Sequence, residues 1–144
     1  MPTTNPVTNE DLRREGYQTW GAVDAFEDMI GPFFYKKIES GEYLSAFVSE
    51  DRHLNGGGQL HGGLLMSFAD FAMFVIAKDH LEGEAVTVGF NSEFVSAGDV
   101  GKRIEASGEV TKATGSMLFV RGKIFCGDNT ILTFSGILKK IRRR

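Results

Sequence analysis

The stretch from Leu60 to Asp79 constrains this chain more than any other. Leu64, Phe68, Phe71 and Val75 recur at helical spacing, with Leu65, Ala72 and Ile76 beside them. Met66, Met73, Phe74 and Ala77 make the opposite side apolar too, so the helix is expected to be buried on nearly all sides. The run is too short, and too interrupted by Asp70, to read as a membrane span. A central core helix is expected, and the remaining chain must supply a surface that covers it.

Asp70 breaks the apolar pattern. An ionised carboxylate in such surroundings costs several kcal/mol unless it is paired or hydrogen-bonded. It either faces a sliver of solvent or a neighbouring strand, or it serves at a cavity wall as a base or nucleophile. The segment before the helix, His53 to Gly63, bears on that choice. Its glycines let backbone approach a ligand closely, and the first N–H groups of a helix lack intrahelical partners. A helix N-terminus attracts negative charge, including an oxyanion that develops during reaction. The glycines match neither a Walker loop nor the dinucleotide-binding spacing.

Asn55, five residues, His61-Gly62-Gly63, six residues and Asp70 together resemble the signature of hotdog-fold acyl-CoA thioesterases of the phenylacetate-pathway type. The resemblance covers roughly Phe33 to Ile141 and implies an α+β fold, a curved antiparallel sheet wrapped around the helix. It implies that Gly62 N–H and Asn55 polarise a thioester carbonyl and that Asp70 activates water or attacks directly. By the same resemblance His61 helps hold the loop, and Thr87 stands where related enzymes place a hydroxyl that orients the water. Coenzyme A enters as part of the substrate; no cofactor is implied. His53, His61 and His80 carry no metal-ligand spacing.

Helix geometry adds a separate constraint. Gly62 and Asp70 lie eight residues apart, about 12 Å along a helix. Both must come within about 3 Å of the reacting atoms of one substrate. The Asp side chain leans back toward the helix N-terminus and recovers only part of that gap. Two copies related by a two-fold axis resolve the conflict, one giving Gly62 and Asn55 and the other Asp70. The resemblance likewise implies a homodimer or a dimer of dimers. One rival reading is a regulatory or binding protein of the same fold that holds acyl-CoA without cleaving it; Asp70, Asn55 and Gly62 together argue against it. A hydratase is disfavoured, since His61 precedes the helix and no His follows Asp70 until His80.

The 144 residues suit one core domain, expected over residues 33–144, with residues 1–32 as a helical extension packed on it. A net charge of −3 proposes no nucleic-acid partner. Cys126 is the only cysteine, so no intrachain disulfide forms, and its strand-like context reads as a packed thiol. The N-terminus lacks the basic-then-apolar pattern of a signal peptide, which makes a cytoplasmic location the expectation.

Met1 to Val7 reads as a mobile terminus, followed by a helix from Thr8 to about Trp20 and another from about Val23 to Ile30. Strands are expected at Phe33–Ile38, Tyr43–Ser49, Ala85–Val95, Lys102–Lys112, Ser116–Cys126 and Ile131–Lys140. In the third of these, Val86, Val88 and Phe90 should share one face, and Thr87, Gly89 and Asn91 the other. The basic tail, Lys139-Lys140 and Arg142 to Arg144, reads as solvated, with contact to a nucleotide phosphate as the alternative.

Overall fold

The computed structural model describes residues 7–20 and 24–142. Most of the expected mobile terminus, the start of the second helix at Val23 and the tail residues Arg143 and Arg144 lie outside the described residues. Two short helices come first, α1 (Asn9–Arg14) and α2 (Ala25–Ile30), then strands β1 (Phe34–Lys37) and β2 (Tyr43–Val48). The long helix α3 (Gly62–Ile76) follows, and β3 (Ala85–Phe94), β4 (Arg103–Ala113), β5 (Met117–Cys126) and β6 (Asn129–Lys140) complete the chain. The six strands form one antiparallel sheet in the order β1-β2-β4-β5-β6-β3.

Helix α3 packs against β2, β3, β4, β5 and β6, which a flat sheet could not allow; the sheet curls around the helix. Glycines make that curvature possible. Gly108 of β4 stands opposite Gly122 of β5, and a Cβ on Gly108 would meet the Arg121 carbonyl, with Ile76 Cδ1 at 2.7 Å and Gly122 Cα at 2.8 Å. Around α3 the core gathers Phe47, Phe68, Phe71, Met73, Ile104, Leu118, Ile124 and Leu138. Strand alternation splits β1 and β2 between two cores. Phe33, Tyr35 and Phe47 face α3, whereas Phe34, Ala46 and Val48 face Leu12 and Tyr17 in and just after α1.

Three expectations need correction. The first helix stops at Arg14 instead of reaching Trp20, because Gly16 adopts φ +94° and the chain leaves the helix there. Gln18 then bonds Tyr35 in both directions, at 2.9 and 2.8 Å, as a short bridge beside β1. Helix α3 is not buried all round: Met66 is 39% exposed, and Ser67, Asp70 and Phe74 lie half-buried along the same stripe. In β3 a bulge at Val88 breaks the expected alternation. Thr87 and Phe90 consequently both turn toward α3, Thr87 to Asp70 and Phe90 to the core.

Strand β3 forms an outer edge of the sheet. Val86, Val88 and Phe94 on it are 42%, 51% and 56% exposed. A ten-residue edge that exposes these three apolar side chains and has unpaired backbone groups is a template for another strand. Cys126 is partly buried against the main core, as its strand context suggested. Among the described residues no helix is long and apolar enough to cross a membrane.

Candidate active site

The loop that leads into α3 is held by its own side chains. Asn55 Oδ1 accepts from Gly57 N–H at 2.9 Å and Gln59 N–H at 3.2 Å, which closes the glycine turn. Its carbonyl oxygen is thereby occupied, and its NH2 group remains a donor. His61 caps the helix: Nδ1 accepts from Gly63 N–H at 2.8 Å, and the His61 N–H donates to the His53 carbonyl at 2.9 Å. These two bonds tie His61 to the start of α3 and to the loop before it. Gly62, the first helical residue, lies against Phe94; a Cβ there would sit 3.0 Å from the ring. Asn55, Gly62 and Phe94 line one shallow cleft of about 340 Å³.

Two turns further along α3, Asp70 opens onto a different and larger cleft of about 630 Å³. Thr87 Oγ1 donates to Asp70 Oδ1 at 2.6 Å, a short charge-assisted bond that fixes the carboxylate's orientation. Both structural readings of Asp70 hold at once, since it is half-buried and accepts from a neighbouring strand. Asp70 and Thr87 both line that cleft. Thr87 acts on the carboxylate directly, and its oxygen can still accept from a water held there.

Within one chain, then, Asn55 and Gly62 come together, Asp70 and Thr87 come together, and the two pairs line separate clefts. The 12 Å expected between Gly62 and Asp70 along the helix is what keeps them apart.

The sequence marks several cleft residues as helix or core positions or not at all, and none of them as part of a site. Trp20, Phe71, Phe74 and Leu81 give apolar walls, and Asp24, Glu27 and Lys78 add charge. Trp20 packs on Tyr35 and Phe71, with ring centroids 4.3 and 5.5 Å away, while Lys78 Nζ lies 5.6 Å from the Trp20 ring. Burial, then the neighbouring carboxylates Asp24, Asp70 and Asp28, push the Glu27 carboxyl up to about 7. In sequence, Asp24-x-x-Glu27 reads only as a helix start, and Asp24 does cap Glu27 N–H at 3.0 Å. The one tryptophan beside that start was the available signal. Among the described residues no group of three or more His, Cys, Asp or Glu is placed to hold a metal ion.

Residues 57–133 match the family model of the thioesterase superfamily, more than half of the chain. The chain belongs to that superfamily. Its fold is the hotdog α+β arrangement, in which a curved antiparallel sheet wraps one central helix. The Pseudomonas aeruginosa protein PA0474, an esterase by name, is 29% identical over 125 residues, which cover 85% of this chain and 93% of that one. The E. coli PaaI protein of the phenylacetic acid degradation operon superposes with a TM-score of 0.73 at 23% identity, over 83% of this chain and 86% of that one. BH2602 from Bacillus halodurans, solved with CoA, gives 0.70 at 23% identity over 76% and 74%. The protein smu.793 from Streptococcus mutans, bound to acetyl CoA, gives 0.74 at 16% identity over 88% and 99%. Likeness to these three structures is a likeness of fold.

Proposed function

We propose that this member of the thioesterase superfamily hydrolyses an acyl-CoA thioester to the free acid and coenzyme A, at a site shared between two copies of the chain. Residues 33–144 form the catalytic domain in this reading, with residues 1–32 as an extension packed upon it. The observation that carries it is the placement of the two half-sites at opposite ends of one exposed edge strand. Thr87, with Asp70, marks one end of β3, and Phe94, with Gly62, marks the other. An antiparallel two-fold pairing of β3 centred between Phe90 and Asn91 sets residue 87 of one protomer opposite residue 94 of its partner. That one operation covers the exposed Val86, Val88 and Phe94 and joins each Asp70 half-site to a Gly62 half-site, twice per dimer. CoA bound to BH2602 and acetyl CoA bound to smu.793 support a CoA ester as the ligand class.

In the joined site the thioester carbonyl lies against Gly62 N–H and the Asn55 NH2 of one protomer. These donors stabilise negative charge as it builds on the oxygen. Asp70 of the other protomer, oriented by Thr87, takes a proton from water as the water oxygen bonds to the carbonyl carbon. Collapse of the tetrahedral intermediate breaks the C–S bond and expels the thiolate, which takes up a proton. The same carboxylate could instead attack the carbonyl carbon itself, with water cleaving the resulting anhydride.

Release of free thiol from a panel of acyl-CoAs tests the activity, and Asp70→Asn should lower kcat by about 10²–10⁴-fold. Subunit mixing tests the shared site. Asn55→Asp keeps the oxygens that the glycine turn needs and removes the donor, so it suits this purpose better than truncation. When Asp70→Asn and Asn55→Asp chains exchange in equal amounts, half of the dimers are mixed. Each mixed dimer holds one site with both defects and one with neither, so activity should rise to about a quarter of wild type. No rise, with exchange confirmed, would return the whole site to a single chain.

A further inference from the structure

The cleft beside Asp70 continues past the carboxylate to α2, and its far side has chemistry that the hydrolytic step does not use. Trp20, Phe71, Phe74 and Leu81 wall it with apolar surface, and Glu27 lines it from α2. A thioester carbonyl held at Asp70 directs its acyl chain along these walls, because the coenzyme half is polar and phosphate-bearing. The tail of the acyl chain then ends near Glu27.

The charged groups around that end come from four elements. Asp24 caps α2 and Asp28 lies on it, Asp70 lies on α3 and Lys78 just beyond α3, while Arg13 of α1 lines the adjoining cleft with Glu27. Lys78 Nζ lies over the Trp20 and Tyr35 rings at 5.6 and 5.8 Å. The main cleft thus carries the carboxyl groups of Asp24, Glu27 and Asp70 against one ammonium. Helix α2 is pinned in place at its C-terminal end. Arg52 donates to the Met29 carbonyl at 2.6 Å and to the Gly31 carbonyl, and His53 Nε2–H donates to the Ile30 carbonyl at 2.6 Å. Those bonds fix where Glu27 stands relative to Asp70.

Resting on the thioesterase reading of this site, we propose that Glu27 selects the acyl group by charge, admitting uncharged tails and turning away tails that end in a carboxylate. A carboxylate tail brought against an ionised Glu27 meets a like charge in a half-buried setting, where the repulsion is weakly screened. An uncharged tail meets only the aromatic walls and gains by burial. Since the Glu27 carboxyl ionises at about 7, the discrimination strengthens as pH rises through neutrality.

Hexanoyl-CoA and adipoyl-CoA make the probe pair, equal in chain length and different in one terminal carboxylate. Their kcat/KM ratio should favour hexanoyl-CoA in the wild type and fall about tenfold in Glu27→Gln at pH near 8, the order expected for removing one like-charge contact. Glu27→Asp, which keeps the charge, should retain the preference. Between about pH 6 and pH 8 the wild-type ratio should climb while that of Glu27→Gln stays level, a response that a purely structural glutamate would not give. Dissociation constants of the two esters are compared in the same way on Asp70→Asn protein with and without Glu27→Gln. A shifted binding ratio without hydrolysis by the wild type would overturn the hydrolase reading and uphold charge selection. Ratios that Glu27→Gln leaves unchanged in both turnover and binding would overturn charge selection while leaving hydrolysis standing. Failure of both esters to bind, with and without Glu27→Gln, would overturn both.

Discussion

Replacing Glu27 by Gln removes a carboxyl group whose titration folding displaces from 4.5 to about 7. Burial is the largest cause, followed by Asp24, Asp70 and Asp28, and all of them disfavour the charged form. Between those two pH values the folded chain keeps a proton that the unfolded chain has released. The stability that Glu27 contributes is therefore full below about pH 4.5, and it is lost as pH rises through about 7. Taken whole, the displacement corresponds to roughly 3 kcal/mol; solvent reaching the side chain reduces this to about 1–2 kcal/mol. Gln has the same shape and no charge to lose. Urea unfolding of both proteins across about pH 4.5 to 8.5, at one protein concentration, should show Glu27→Gln gaining about 1–2 kcal/mol on the wild type as pH rises. A difference that stays constant across that range would refute the placement of Glu27 against Asp70 and its neighbours.

His53 should give the opposite slope. Its Nδ1 accepts from Glu50 N–H at 3.0 Å, its Nε2 bonds the Ile30 carbonyl, and burial chiefly holds its pKa below 6.5. The stability it lends is present above pH 6.5 and lost as pH falls through the lowered value, so His53→Gln should flatten the acid side of a denaturation profile. Gly108→Ala should destabilise by about 3 kcal/mol, the upper end for overpacking, because backbone carbonyl and Cα atoms of β5 cannot move aside as a side-chain end would. Its measure is the urea midpoint; a loss under about 1 kcal/mol would mean that the sheet curls less tightly there.

Elements with strong periodicity were legible in the sequence. The α3 pattern and the alternation of Leu118, Val120 and Ile124 translate directly into buried faces, because a helix or strand repeats its contacts at fixed spacing. Illegible features depend on a single residue's conformation or on partners distant in sequence. Gly16 ends α1 by adopting positive φ, two residues past Arg14. Only Gly89, a lone glycine inside a strand pattern, hints at the bulge beside it, and that bulge decides that Thr87 faces Asp70 while Phe90 still packs inward. The strand order is likewise unwritten: β3 follows α3 in sequence but pairs with β6, which leaves it at the edge where it can meet a second copy. Of the candidate site residues, Asn55, His61, Gly62 and Asp70 sit in one contiguous stretch and can be read together. Trp20 and Glu27 arrive from the N-terminal segment through contacts that only the fold supplies.

A protein that merely held acyl-CoA would have little use for a carboxylate at position 70. Its structural partner is the neutral hydroxyl of Thr87, and among the described residues no cation pairs with it. An amide at the same place would still accept from Thr87, losing the charge-assisted part of that bond, about 1 kcal/mol. It would also escape the cost of half-burying a charge, which works in the opposite direction. The two effects nearly cancel, so Asp70→Asn should change unfolding free energy by less than about 1 kcal/mol while turnover collapses. Stability by urea titration and thiol release by a chromogenic assay, on one preparation, separate the two quantities. If the variant instead lost more than about 2 kcal/mol, Asp70 would be an anchor between α3 and β3, and the loss of activity would follow from damage to the fold. Unchanged stability with intact turnover would leave the carboxylate without either role. Large loss of turnover at constant stability is the one outcome that a binding protein has no reason to produce.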